Sequence, residues 1–367
     1  MLKSMFKRFF VRNKFFLPLI TVPLILTLVG LLFVFESSSL RSVSEYGDSF
    51  HYLRLQALWF ILGLGAMTFF SFFDYRKLYF FSLIFILGTI FFLVIVLIPG
   101  VGSQAGGARR WLDFGFINIQ PTELAKFSVI IYLSSWFINK EKKRFLSFVF
   151  LIGLLIFLTI LQPDMGTAII IFLISLIMYY LAGMSIIDLL LLVPFYAFVF
   201  YLFIKLSPYR LRRILAYINP NLDPQGISYH INQILISLIN GGLIGQGFGA
   251  SRQKYLFLPE AHTDSIFAII AEEYGFVGAA LFIFLYFIFV YKIYHLIRLA
   301  PDKLSRLISC GVFAFFNLQI IINLAAMTGL FPLTGVPLPF ISYGGSNLLI
   351  SYSLIGILLN IEKRVRV

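Results

Sequence analysis

Apolar runs of about twenty residues recur along the chain, separated by short polar breaks. Continuous runs of that length cross a bilayer as helices, because membrane strands would alternate apolar and polar positions. The pattern predicts spans at about 15–35, 55–73, 79–98, 121–138, 145–161, 167–182, 186–204, 264–290, 307–327 and 346–361. The stretch from Ser37 to Arg54 reads as a polar outer loop. The longest interruption, about 205–262, reads as a large outer loop between spans seven and eight. Within it Ile231, Ile234, Leu235, Leu238 and Ile239 recur at helical spacing beside Asn232, Gln233 and Asn240. That is the pattern of an amphipathic helix lying on a membrane surface. From Gly329 to Ser346, Pro332, Pro337 and Pro339 are interleaved with Gly335, Gly344 and Gly345. Backbone of this kind cannot face lipid unpaired, so it should pack within protein or line a cavity. The expected fold class is an all-α polytopic membrane protein of about ten transmembrane helices, with residues 1–367 as one transmembrane domain.

Composition agrees. A mean hydropathy of +0.94, with 60% hydrophobic and 12% charged residues, excludes a soluble globular protein. A net charge of +13 would suggest nucleic acid in a soluble chain. Here the basic residues fall in short segments between spans: 1–14, Arg76-Lys77, the NKEKKR turn at 139–144, Lys292 to Arg306 and the C-terminal tail. Cytoplasmic N- and C-termini place about 18 of the 29 lysines and arginines inside. The rest gather in the two largest outer loops, against that rule, and an anionic ligand is one reason. Cys310 is the only cysteine and there are four histidines, so no disulfide framework or clear metal motif is expected. The first apolar run is too long for a signal-peptide core and lacks a small-residue cleavage site, so it should remain as span one. Without a clean internal repeat, an inverted-repeat transporter gains no support. The 44 phenylalanines read as lipid-facing and inter-helix filling.

Candidate chemistry concentrates on the outer side, above all in LPEAHTDSIFAIIAEEYG, Leu258 to Gly275. Ionisable groups at the mouth of a membrane helix are costly and invite a functional reading. Asp264 is the leading candidate, with Glu260 and His262 beside it; its structural alternative is a helix cap. Glu272 and Glu273 could simply pair with basic groups of neighbouring spans. Arg109, Arg110, Trp111, Asp113, Gln120, Glu123 and Lys126 come from the second outer loop and the start of span four. Glu123 and Lys126 share one helix face and could satisfy each other. Asp164, in a Gln-Pro-Asp break, could cap span six. Arg210, Arg212, Arg213, Arg252 and Lys254 come from the large loop. Gly245, Gly247 and Gly249 are a weak phosphate-cradle signal, better explained as flexible turns.

Four stretches together resemble the SEDS family, the membrane proteins of shape, elongation, division and sporulation that include FtsW and RodA. They are ARRWLDFGFINIQPTELAKF, QPDMGTAIIIF, LPEAHTDSIFAIIAEEYGFVG and TGLFPLTGVPLPFISYGGSNLL. The stretch from Tyr229 to Phe267 looks closer to the FtsW branch. Asn347, Met165 and Tyr274 depart from the usual pattern without touching an ionisable group. The resemblance implies peptidoglycan glycosyltransferase activity on lipid II, a disaccharide-pentapeptide on undecaprenyl pyrophosphate. It implies a bacterial inner-membrane location, an extracytoplasmic site, a class B penicillin-binding protein as partner, and other divisome or elongasome membrane proteins. Nucleic acid is not among the partners implied.

The family's essential acidic residue falls on Asp264, and other sensitive positions fall on Arg110, Trp111, Glu123 and Lys126. Asp264 is then expected as catalytic base. Arg110, Trp111, Glu123, Lys126, Arg252, Lys254, Glu260, His262, Ser342 and Tyr343 are expected at the substrate. Arg110, Lys126 and Arg252 are the expected pyrophosphate contacts. No cofactor is required by the sequence, although a divalent cation (Mg or Mn) at the pyrophosphate is compatible with it. The rival function is a lipid II flippase, which needs polar groups on both faces and a path between them. A third reading is a scaffold that only docks the penicillin-binding protein.

Overall fold

A computed structural model describes residues 17–105, 108–115, 117–138, 145–219, 223–224, 226 and 228–365. The basic segment 1–14, the turn at 139–144 and the end of the tail at 366–367 lie outside the described residues. Twelve α-helices are described. In chain order they are α1 (Pro18–Tyr46), α2 (His51–Phe72), α3 (Leu78–Ile95), α4 (Pro121–Trp136), α5 (Phe145–Leu161), α6 (Met165–Leu181), α7 (Ile186–Lys205), α8 (Pro208–Ile218), α9 (Tyr229–Gly241), α10 (Ile266–Leu299), α11 (Lys303–Met327) and α12 (Gly345–Glu362). All but α8 and α9 coincide with the expected runs. Seven helices are long and apolar enough to cross a membrane, and α5 and α6 are shorter apolar helices. The chain is an all-α polytopic membrane protein.

Three short strands depart from that description. β1 (Gly102–Ala105), β2 (Ala108–Asp113) and β3 (Asn118–Ile119) form an antiparallel sheet in the segment between α3 and α4, with Ser103 opposite Trp111. The expected outer loop at 37–54 is also largely helical. No glycine or proline interrupts α1 between Glu36 and Tyr46, and it stops at Gly47 in a left-handed turn whose N–H bonds to the Val43 carbonyl. The hydroxyls of Ser37 and Ser38 turn back onto the carbonyls of Phe33 and Val34, so these serines are satisfied within the helix.

Polar side chains turn inward, because lipid offers them no partner. The helix α12 is almost wholly buried, lies along α2, and carries Ser346, Asn347, Ser351 and Asn360 in the interior. The irregular segment before α12 packs within protein, as its composition demands. Val336, Leu338, Phe340 and Ile341 are buried. The Tyr286 hydroxyl donates to the Pro339 carbonyl at 2.5 Å, and Gln56 Nε2 donates to the Ser342 carbonyl at 3.2 Å. Gly30 of α1 permits the approach, since a Cβ there would lie 2.8 Å from the backbone of Phe340 and Ile341.

The expected amphipathic helix is α9, in which Ile231 and Ile234 are buried in protein and Ile239 is exposed. It packs on α10, and Gly241 makes the contact close: a Cβ there would lie 2.0 Å from the Ala271 carbonyl oxygen. α10 is itself broken at Gly275, where φ is 64° and ψ −164°. The N–H groups of Phe276 and Val277 bond to the carbonyls of Gly242 and Leu243 instead. Those of Gln246 and Gly247 bond to the carbonyls of Glu272 and Glu273. A Cβ on Gly245 would meet the Glu273 carbonyl oxygen at 2.1 Å. Gly245 therefore lets two backbones touch, and Gly245, Gly247 and Gly249 all hold positive φ.

Candidate active site

Asp264 sits in the turn that leads into α10. It does not cap that helix: the N-cap position is Ser265, and no side chain bonds there. The residue is 8% exposed. Its carboxylate accepts one side-chain hydrogen bond, from the Thr263 hydroxyl at 3.1 Å, a hydroxyl that also faces Glu260 Oε2 at 3.0 Å. Burial, with the charge of Glu260 adding to it, pushes the carboxyl up to about 6; its hydrogen bonds and the charge of Arg213 oppose this only in part. Asp264 is thus a buried carboxylate with free acceptor capacity and a basicity near physiological pH.

Glu260 and His262 are close by in the same loop. Glu260 is exposed, in a left-handed conformation (φ 50°), 3.6 Å from Arg41. His262 is buried, its ring 4.8 Å from that of Tyr52 and 5.6 Å from that of Tyr343. Burial pushes His262 down to about 4, so it is neutral at physiological pH. The Tyr343 N–H donates to the His262 carbonyl at 2.9 Å, which ties this loop to the segment before α12.

A cavity of about 510 Å³ is lined among others by Arg212, Arg213, Tyr217, Asp223, His230 and Leu333. His230 Nε2 lies 2.8 Å from the hydroxyl of Ser265, the neighbour of Asp264. Arg213 Nη1 donates to the Leu333 carbonyl at 3.1 Å. Burial, reinforced by Arg213, pushes His230 down to about 4. The cations of this cavity are therefore the two arginines of α8, and Asp223 is a carboxylate in the same lining. Sequence reasoning grouped them only with the loop's other basic residues. The available signal was the run PYRLRRILAYI, which alternates cations and apolar residues at helical spacing.

The other expected residues lie elsewhere. Arg110 clamps the break between α5 and α6: its Nε donates to the Gln162 carbonyl at 2.9 Å and its Nη2 to that of Pro163 at 2.5 Å. Asp164, just after that break, caps α6 through the Thr167 N–H at 3.1 Å and also accepts from Gln120 and Thr122. Trp111 stands half-buried on β2. Glu123 and Lys126 form a buried ion pair at 2.7 Å, completed by Asn347 donating to Glu123 at 3.0 Å and by the Phe315 ring under the ammonium. Ser342 accepts the Leu338 N–H at 2.8 Å and so shapes its own segment. Arg252 is exposed.

Lys254 is turned inward. It ion-pairs with Glu36 of α1 and with Glu273 at 3.1 Å, and donates to the Gly249 carbonyl at 2.7 Å. Burial would discharge it, but the two carboxylates outweigh burial and raise its pKa. The partner of Glu273 thus comes from the large loop and not from a neighbouring span. Glu36, the third member, was not anticipated, since α1 was expected to end before it. Of the expected residues, the structure gathers Asp264, Glu260, His262 and Tyr343, and sets Arg110, Glu123, Lys126, Lys254 and Ser342 in structural contacts. Among the described residues, no group of three or more His, Cys, Asp or Glu is arranged to hold a metal ion.

Comparison with known proteins places this geometry in a family. The sequence model of the FtsW, RodA and SpoVE group, described as "Cell cycle protein", matches residues 17–367. The chain is 34% identical over 364 residues to the probable peptidoglycan glycosyltransferase FtsW of Geobacter metallireducens, covering 96% of both chains. It is 36% identical over 357 residues to the stage V sporulation protein E of Bacillus subtilis, covering 95% of this chain and 97% of that one. Its fold is similar to a chain from a peptidoglycan synthase complex that coordinates polymerization and crosslinking, with a TM-score of 0.77 at 24% identity over 94% of this chain and 96% of the other. By the length of these matches, the chain belongs to the FtsW/RodA/SpoVE family of cell cycle proteins.

Proposed function

We infer that this chain polymerises glycan strands from lipid II, with Asp264 as the general base. The chain is a peptidoglycan glycosyltransferase, as its FtsW relatives are named, and those names do not favour a flippase. The observation that carries the assignment to Asp264 is a buried carboxylate, nearly unpartnered, next to a cavity walled by two arginines.

The chemistry follows from what the substrates lack. The donor sugar already bears a pyrophosphate, so its departure needs no proton, only cations to offset the charge that develops. The acceptor's sugar hydroxyl must lose a proton as it attacks. Asp264 takes that proton. The hydroxyl oxygen bonds to the donor's anomeric carbon while the bond from that carbon to the pyrophosphate oxygen breaks. Undecaprenyl pyrophosphate leaves with the bonding pair, and a single displacement inverts the anomeric carbon. A pKa of about 6 suits the role: the group is ionised at physiological pH and still a better proton acceptor than an ordinary aspartate.

For the pyrophosphate we favour Arg212 and Arg213, which line the cavity, over Arg110 and Lys126, which do not; Arg213 also donates to the Leu333 carbonyl. A divalent cation at the pyrophosphate stays compatible with this reading, and the steps above are written for the chain's own residues. The site faces the extracytoplasmic side of the bacterial inner membrane, where the large loop emerges and lipid II is presented. A class B penicillin-binding protein crosslinks the strand.

The test is lipid II polymerisation by purified Asp264→Asn with its penicillin-binding partner. The expected outcome is no glycan polymer from a folded variant. Polymer at the unmodified yield removes Asp264 from the reaction.

A further inference from the structure

We propose that Asn323 of α11 is a positioning residue that holds the backbone of Asp264 against the wall of the arginine-lined cavity. The proposal rests on Asp264 being the base. Asn323 is 1% exposed. Its Nδ2 donates to the carbonyl of Asp264 at 2.9 Å and to the carbonyl of Val336 at 2.8 Å. An amide nitrogen has two protons, and both are used on backbone of two different segments. The Oδ1 is buried without a hydrogen-bond partner. The amide cannot be turned round, because that would set its oxygen against two carbonyl oxygens. The side chain is therefore oriented by what it donates to.

Those two acceptors belong to the two walls that must stay in register. One is the peptide of Asp264 itself. The other adjoins Gly335, where a Cβ would lie 3.9 Å from Asp264 Oδ2. Leu333, which lines the cavity and accepts from Arg213, lies in the same segment. The carboxylate has little else to fix it, since its one side-chain partner is Thr263, the adjacent residue of the same turn. Where the carboxylate points is thus set by where its backbone is held. A displacement on the order of 1 Å in a reacting group can lower a rate by about a hundredfold.

The test is steady-state polymerisation of lipid II by Asn323→Ala in complex with its penicillin-binding partner, across pH 5–9. A loosened turn admits water to Asp264, whose carboxyl then drifts toward the ordinary aspartate range of about 3.9. The groups facing it are Glu260 from its own loop and Arg213 from α8, while the neighbouring His262 and His230 are neutral over this range. The expected result is a kcat lower by about 10- to 100-fold with KM within about twofold, and an acidic limb of the rate profile moved to lower pH. Gln319→Leu, one turn earlier on α11, supplies the control, because Gln319 is equally buried but accepts only from Asn347. It should lower thermal stability without moving the acidic limb. Should Asn323→Ala not fold, Asn323→Ser, which keeps one donor, should give a smaller shift in the same direction. An unmoved limb with activity falling only in step with folded protein overturns the proposal. Full activity of Asp264→Asn in the same assay would instead overturn the base assignment on which it stands.

Discussion

Asp264 and the Glu272–Glu273 pair come from one short stretch, and their surroundings could hardly differ more. Glu272 accepts from the Ser251 hydroxyl at 2.5 Å, from Asn240 at 3.3 Å and from the Gln253 N–H at 3.4 Å. Glu273 accepts from the N–H groups of Gly249 and Ser251, both at 3.2 Å, and ion-pairs with Lys254. These carboxylates lash the large loop to the break in α10. Asp264 has one hydroxyl and no cation in bonding contact. A buried carboxylate surrounded by donors is a structural fastener, whereas one left short of donors keeps its basicity for a substrate.

Four experiments would break or sharpen that contrast. The largest effect is expected at Asp264: replacing it with Asn should lower lipid II polymerisation by about 10²- to 10⁴-fold while the protein stays folded, measured by polymer yield beside a thermal melt. Glu273→Ala should act the other way round. It strips Lys254 of one of its two carboxylates, which should destabilise the fold by about 3–5 kcal/mol, seen as a lower melting midpoint in detergent. Combining Glu273→Gln and Glu36→Gln with Lys254→Met should recover part of that loss, because no member of the triad is then left charged and alone.

An intermediate effect is expected at the cavity. Arg213→Ala should reduce kcat/KM by about 10- to 100-fold through a lost charged contact, whereas Lys126→Ala should chiefly lower stability. Equal kinetic losses with unchanged melts would undo the reassignment of the cations. The smallest effect concerns pH. Asp264 binds its proton more tightly folded than unfolded, so its contribution to stability is full below about 4 and is lost as pH rises to about 6. Asp264→Asn should therefore melt higher than the unmodified protein at pH 7.5, by at most about 2–3 kcal/mol, with the gap closing at pH 4. Over the same range the rate of the unmodified enzyme should fall below about pH 6, as the base becomes protonated.

Much of the site was legible in the chain, for reasons that can be named. Asp264 stood out because ionisable groups beside a membrane helix need a purpose, and its free valence agrees with that. The self-satisfied Glu123–Lys126 pair was open to sequence reasoning because spacing along a helix is local. The bonds that Arg110 and Lys254 make were not legible, for the opposite reason. A cation's partner across the fold cannot be read from its neighbours in sequence, and both residues are engaged by acceptors from distant segments. Glu36 escaped notice because the serines after it looked like loop, although their hydroxyls are satisfied within the helix.

The sequence alone determined the class of structure. Apolar runs long enough for a bilayer leave helices as the only way to pair every backbone group, and that constraint needs no knowledge of tertiary contacts. It also determined that acidic residues would stand at the start of α10. Only the tertiary structure decided which of them is spent on holding the molecule together and which remains available, and that α8 sets Arg213 where its charge reaches Asp264. The physical reason is that a buried charge takes its character from the donors packed around it, and those donors are assembled by folding from parts of the chain far apart.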